Sequence, residues 1–154
     1  MTRWKNLPPN LTIGKKTTSI KSSQLPPPYE RQLQISIIDW SENIRYKNQP
    51  LRLYIHHSPN GGKRDYREAA YFQAMGTRAG YPDLTVDIAK GGYHGMRMEL
   101  KRTAKETTSP NQDESLARLR EEGYYAIVCS SFEEAIKEIH CYIKGLTINP
   151  NKDN

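Results

Sequence analysis

Between Asp83 and Lys101 the chain alternates in a way that leaves little choice of local structure. Leu84, Val86 and Ile88 are interleaved with Thr85 and Asp87. Lys90-Gly91-Gly92 then interrupts, and Met96, Met98 and Leu100 are interleaved with Arg97, Glu99 and Lys101. Successive side chains on a strand point to opposite faces, so this period-two pattern predicts two half-polar strands joined by a turn. The methionine–leucine face belongs to a core, which leaves Glu99 and Lys101 displayed together on the other face. The first strand opens at Asp83, and a turn between two strands can bring Asp83 beside Glu99. Two carboxylates and one ammonium would then converge.

That trio suits phosphodiester hydrolysis. Two carboxylates supply the hard oxygen ligands that Mg²⁺ prefers, with waters and a backbone carbonyl completing its shell. Such a metal polarises a phosphoryl oxygen and helps generate hydroxide for in-line attack. Lys101 could orient the attacking water or stabilise negative charge growing on the phosphate. Without the metal, adjacent carboxylates repel and one pKa rises. Each element also has an ordinary meaning: a Glu-x-Lys pair is commonly a solvated salt bridge, and Pro-Asp is a turn signal. Their order on consecutive strands is what favours the site.

The rest of the chain supplies a frame for this hairpin. From Glu30, Leu33, Ile37, Trp40 and Ile44 recur at helical spacing, with Glu30 and Gln34 close to the stripe and in need of partners. Leu51–Ile55 alternates like a strand, and Ser58-Pro-Asn-Gly-Gly62 is a turn. Residues 63–76 are expected to form a second helix with Ala69, Phe72 and Met75-Gly76 inward. Ser109-Pro110 opens a third helix that stops near Gly123. Tyr124–Cys129 is a short buried strand. Ser131 caps a final helix with Glu134 completing a capping box, and Phe132, Ala135, Ile136, Ile139 and Ile143 form its stripe. The order is helix, strand, helix, two-stranded hairpin, helix, strand, helix, which predicts an α/β or α+β domain with a mixed sheet flanked by helices.

Residues 1–28 read as a basic, disordered arm ending in Pro26-Pro27-Pro28, residues 29–145 as the folded domain, and residues 146–154 as a flexible tail. Arg3, Lys5, Lys15, Lys16 and Lys21 lie in the arm without any acid, so nearly all of the net charge of +6 resides there. The domain itself is close to neutral, and net charge does not mark it as a nucleic-acid binder. No apolar run is long enough for a membrane span or a secretory leader, so an intracellular, cytoplasmic protein is expected. Cys129 and Cys141 fit no metal or redox spacing and are expected to be reduced, partly buried thiols.

Several segments, in this order, resemble the VRR-NUC domain of the PD-(D/E)XK nuclease superfamily. They are Glu30 with Gln34, Ser58-Pro-Asn-Gly-Gly62 followed by a basic residue, Gly80-Tyr-Pro-Asp-Leu84, Met98-Glu-Leu-Lys-Arg102, Ser109-Pro-Asn-Gln112, Gly123-Tyr124 and Ser131-Phe-Glu-Glu-Ala135. Together they cover Tyr29–Lys144. The resemblance implies a restriction-endonuclease-like core and a metal-dependent DNA nuclease centred on Asp83, Glu99 and Lys101. It adds accessory roles for Glu30 near the metal and for Gln112 beside the catalytic strand. The implied metal ligands are Asp83, Glu99, Glu30 and the Leu100 carbonyl, holding Mg²⁺ with Mn²⁺ able to substitute. Tyr81 departs from the smaller aliphatic residue more usual before the Pro-Asp pair. Small stand-alone members resemble structure-selective enzymes acting on branched DNA such as four-way (Holliday) junctions, for which a homodimer would be suited.

Some residues carry two readings. Gln112 is also the fourth residue of a Ser109-Pro-Asn-Gln112 capping box, and Glu30 also suits a first helical turn. His56 and His57 are adjacent on a strand end and face opposite ways, which fits tuned or buried histidines better than a shared metal. Asn60, Lys63, Arg64 and Arg67 could cradle a phosphate, or could form a flexible turn and a solvated helix face. Lys90 and Arg102 add cations near the proposed site, and Tyr93 could stack on a base or simply pack. The competing function is a non-catalytic DNA-binding module that retains the fold. A sequence-specific restriction enzyme is disfavoured, since no further domain is present to read base edges.

Overall fold

The structure, a computed structural model, describes residues 28–59 and 66–146, and for residues 28–30 and 66 the backbone alone. The basic arm up to residue 27, the turn at 60–65 and the tail from 147 lie outside the described residues. Helix α1 spans Pro28–Glu42. It starts at the last of the three prolines, which the first helical position accommodates because its fixed φ is already helical and no N–H is needed there. Leu33 and Ile37 are buried, with Trp40 and Ile44 packed beside them, so the expected stripe is the buried one.

Two short strands follow, β1 at Arg45–Tyr46 and β2 at Gln49–Pro50, paired across Lys47 and Asn48. Both loop residues have positive φ, the geometry of a tight two-residue hairpin. Leu51–Tyr54 is a 3₁₀ turn and not the start of a strand; β3 covers only Ile55–His57. The Leu-Arg-Leu-Tyr alternation arises because Leu51 alone is buried there while Leu53 faces out.

Helix α2 spans Tyr66–Ala74. Its expected inner face is not a core face: Met75 is 64% exposed, and Ala69 and Phe72 are only half-buried. Strands β4 (Leu84–Val86) and β5 (Met96–Leu100) form the predicted hairpin; the first strand ends at Val86, and Ile88 is buried beyond the ladder. Helix α3 is Pro110–Glu121, β6 is Tyr125–Cys129 and α4 is Phe132–Lys144.

The main sheet has the order β3-β4-β5-β6, with two antiparallel pairs and a parallel β5–β6 pair. Its apolar face carries Leu84, Val86, Met96, Met98 and Leu100, which join Leu33 and Ile37 of α1 and Ala135, Ile139 and Tyr142 of α4 in one core. The Tyr142 hydroxyl donates to the Ile88 carbonyl at 2.6 Å and fastens α4 to the hairpin connection. Helix α3 packs along β6, and the Arg120 guanidinium donates to the Ala126 carbonyl. The opposite face of β5 is therefore covered as well.

Candidate active site

Register decides which side chains meet. Leu84 pairs with Met98 across the antiparallel β4–β5 ladder, so Asp83, one residue before β4, stands opposite Glu99. The Leu100 amide donates to Asp83 Oδ2 at 2.9 Å, which ties the carboxylate directly to the strand that bears the glutamate. Lys101 Nζ lies 3.3 Å from Glu99 Oε1. The convergence expected of these three residues is present.

Glu99 is 2% exposed and Lys101 is mostly covered. A solvated Glu-x-Lys pair would leave both heads in water, so this is not the ordinary surface bridge. Burial holds the Asp83 carboxyl above its usual range, against the lowering effects of the Leu100 amide, His57 and Lys101. The rise anticipated from repulsion between carboxylates is thus present with another cause, removal from water.

Gln112 joins the group from α3. Its Oε1 accepts from Lys101 Nζ at 2.8 Å and from the Ser109 amide at 2.8 Å, and its Nε2 donates to Glu99 Oε1. Ser109 Oγ accepts in turn from the Gln112 amide, which completes the capping box. The capping box is present, and the same side-chain amide also bonds to Lys101 and Glu99. The second box is different, since the Glu134 carboxylate takes the amide and hydroxyl of Ser130 while Ser131 Oγ accepts from the Glu134 amide.

The loop before Asp83 is held against the same helix end. Gly80 has φ +82, and a Cβ there would stand 2.6 Å from the Asn111 carbonyl carbon and oxygen. Only glycine meets both demands. At the far side, the Ser58 amide donates to the Asp83 carbonyl at 2.9 Å and His57 Nδ1 lies 3.2 Å from it. Both histidines are exposed instead of buried, and His56 Nε2 stands 3.5 Å from Asp87 Oδ2.

Arg97 is the residue on this face whose importance was missed. It is 9% exposed, donates from Nε to the Tyr81 hydroxyl at 3.1 Å, meets Asp87 at 3.5 Å and lies 4.3 Å over the Tyr124 ring. The period-two pattern already put Arg97 on the face of Glu99. What it could not show was a tyrosine two residues before Asp83 waiting to receive it.

Of the remaining candidates, Glu30 lies in the first turn of α1, its side chain outside the described atoms; Asn60, Lys63 and Arg64 also lie outside them. Arg67 is exposed on α2. Arg102 is exposed and paired with Glu106, whose carboxylate also accepts the Arg102 amide at 3.0 Å. Lys90 and Tyr93 close the β4–β5 connection on each other through backbone bonds, and the Tyr93 ring packs at 5.2 Å from Tyr125, so its reading is packing. Cys129 and Cys141 are free thiols, Cys129 buried.

The donor set fits a hard cation. Asp83 and Glu99 offer carboxylate oxygens at the mouth of one strand pair, and among the described residues no group of three or more His, Cys, Asp or Glu side chains forms a closed cage. Mg²⁺ is ordinarily held this way, by one or two carboxylates with waters and substrate phosphate filling its other positions. A half-buried acid with a raised pKa, as Asp83 is, is also one that a cation would relieve.

No family model matches the chain, and no curated protein matches it. Among solved structures it is similar to one described as a VRR_NUC domain protein, at 40% sequence identity and a TM-score of 0.68. The match covers 79% of this chain and 91% of that one.

Proposed function

The chain belongs to the VRR-NUC family, and from that premise we propose that it is a Mg²⁺-dependent DNA endonuclease acting on branched DNA such as four-way junctions. The observation that carries the reading is the convergence of half-buried Asp83, buried Glu99 and half-buried Lys101, the last two bridged by Gln112. A fold kept only for binding DNA has no use for two acids withdrawn from water, Glu99 fully and Asp83 in part, beside the position of a phosphate, where they would repel it.

Asp83, Glu99 and the Leu100 carbonyl would hold the ion, with Glu30 as a further candidate. The bound ion supplies Lewis-acid activation of the phosphate and a lowered pKa for water. Lys101 is held by Glu99 and Gln112, and so oriented its ammonium would meet the charge that develops on the phosphoryl oxygens. Gln112 keeps that lysine from turning into solvent. The α3 cap and the Gly80–Asn111 contact hold the two halves of the site at fixed separation. A homodimer would present two such sites to the two strands of a symmetric junction.

The test is cleavage of labelled four-way junction, flap, fork and linear duplex in Mg²⁺, Mn²⁺ or EDTA, with wild type beside Asp83→Asn and Glu99→Gln. Metal-dependent cutting of the branched substrates that both variants lose is the expected result. A variant that cuts like wild type would place the chemistry elsewhere. Binding without cutting in either metal would support the non-catalytic module instead.

A further inference from the structure

A cleft of about 450 Å³ opens beside the carboxylate group, between the end of β3 and the loop from α2 to β4. His57, Ser58, Met75, Thr77, Arg78 and Tyr81 line it, and among the described residues no carboxylate does. We propose that this cleft receives a single unstacked nucleotide next to the phosphodiester under attack, with the Tyr81 ring as its stacking surface and Arg78 as a phosphate contact. The proposal rests on the nuclease reading and assigns that site its selectivity for branched DNA.

Three observations converge on it. The cleft shares backbone with the site: the Ser58 amide and His57 Nδ1 both address the Asp83 carbonyl, and Tyr81 precedes Asp83 by two residues. A chain whose phosphate lies at Asp83 and Glu99 therefore has its neighbouring nucleotide at the cleft mouth.

The stacking surface is also built in advance. Buried Arg97 donates to the Tyr81 hydroxyl and is itself held by Asp87 and the Tyr124 ring, so Tyr81 is fixed from beneath. An aromatic ring held in place binds without paying for its own ordering.

The lining has the chemistry of a nucleotide: a tyrosine ring and the 64%-exposed Met75 for a base, Arg78 and His57 for phosphate, and hydroxyls of Ser58 and Thr77 for polar edges. Its volume of about 450 Å³ lies near the lower end of the roughly 300–1,000 Å³ common for small-molecule sites, a size that suits one nucleotide. A base inside continuous duplex must first be unstacked, at a few kcal/mol, whereas one at a branch point or flap is already released. Selection among DNA structures then follows from one pocket.

The experiment uses the full chain with branched substrates in which single abasic residues replace each nucleotide within three positions of the cleaved bond. Wild type, Tyr81→Phe and Tyr81→Leu are compared. Base–aromatic stacking predicts that, at one position, base removal lowers kcat/KM about 5- to 100-fold for wild type and for Tyr81→Phe. Tyr81→Leu starts lower and loses less than about twofold more.

If Tyr81→Leu fails to fold, Met75→Asp, at an exposed position, provides a second route. Its carboxylate should repel the incoming phosphate and erase the abasic penalty. A penalty of equal size in wild type and Tyr81→Leu, or none at any position, overturns the proposal while leaving the nuclease intact. If nothing is cut in Mg²⁺ or Mn²⁺, the nuclease reading fails separately. The same oligonucleotides then decide the cleft by anisotropy titration: non-additive loss of affinity supports it, and additive loss overturns it.

Discussion

The two faces of β5 are buried almost equally and held together by opposite means. Met96, Met98 and Leu100 on one side are 0% exposed, while Glu99 and Arg97 on the other are 2% and 9% exposed. The apolar face needs only neighbours of the right volume. The polar face needs a partner for each atom, and among the described residues no buried side-chain nitrogen or oxygen lacks one. Burial therefore stabilises the fold on one side, whereas on the other it strengthens electrostatic interactions that serve the site.

This contrast is sharpest at Lys101. Lys101→Ala should reduce cleavage by roughly 100- to 1,000-fold, the scale of losing one preorganised charge stabiliser, with no rescue by excess Mg²⁺. Its melting temperature should fall as well, because Glu99 is 2% exposed and loses its cationic partner, so rates are compared per folded molecule. A large loss of stability with activity per folded molecule retained would assign Lys101 to the architecture.

Met98→Ala tests the other face and should give the reverse pattern. Deleting a fully buried methionine side chain is expected to cost about 2–5 kcal/mol in denaturant unfolding. The turnover of the molecules that remain folded should be almost unchanged.

Gln112 breaks the division, since it serves both sides of the comparison. Ser109→Ala removes the cap alone and should cost about 1 kcal/mol of stability with little effect on rate. Gln112→Ala should add a rate loss of roughly tenfold, as when a residue supporting metal ligands is removed. Equal rates in the two variants would reduce the glutamine to a cap.

The smallest effect concerns pH. Burial raises the Asp83 pKa above its ordinary value near 3.8, so the folded protein binds this proton more tightly than the unfolded chain. Its stabilising contribution is complete below that ordinary value and is lost as pH rises through the raised one. Metal-free protein should show this slope in acid-range unfolding curves, and Asp83→Asn should flatten it. An unchanged slope in the variant would trace the effect to another acid.

How much of this was legible in the sequence depends on whether the signal was local. Asp83, Glu99 and Lys101 could be placed together because strand periodicity and one turn suffice. The cap at Ser109 was equally local, but the reach of Gln112 to Lys101 was not fixed by its spacing, only by the packing of α3 against β6. Leu51–Tyr54 was misread because a four-residue alternation is too short to separate a strand from a 3₁₀ turn. Met75 was misread because a helical stripe shows that a helix is amphipathic without showing what covers it. Arg97 sat on the expected face, yet its partners Tyr81 and Asp87 come from the other strand's ends and leave no mark at fixed spacing.

The double bonding of the Gln112 amide has a thermodynamic consequence. The first turn of α3 can fray only by releasing Glu99 and Lys101, so helix opening and loss of the assembled site are one event. Whatever closes on the carboxylates must then slow hydrogen exchange at the start of α3, far along the chain from Asp83. The share of molecules with the proposed site assembled would then be set by the local stability of a helix end.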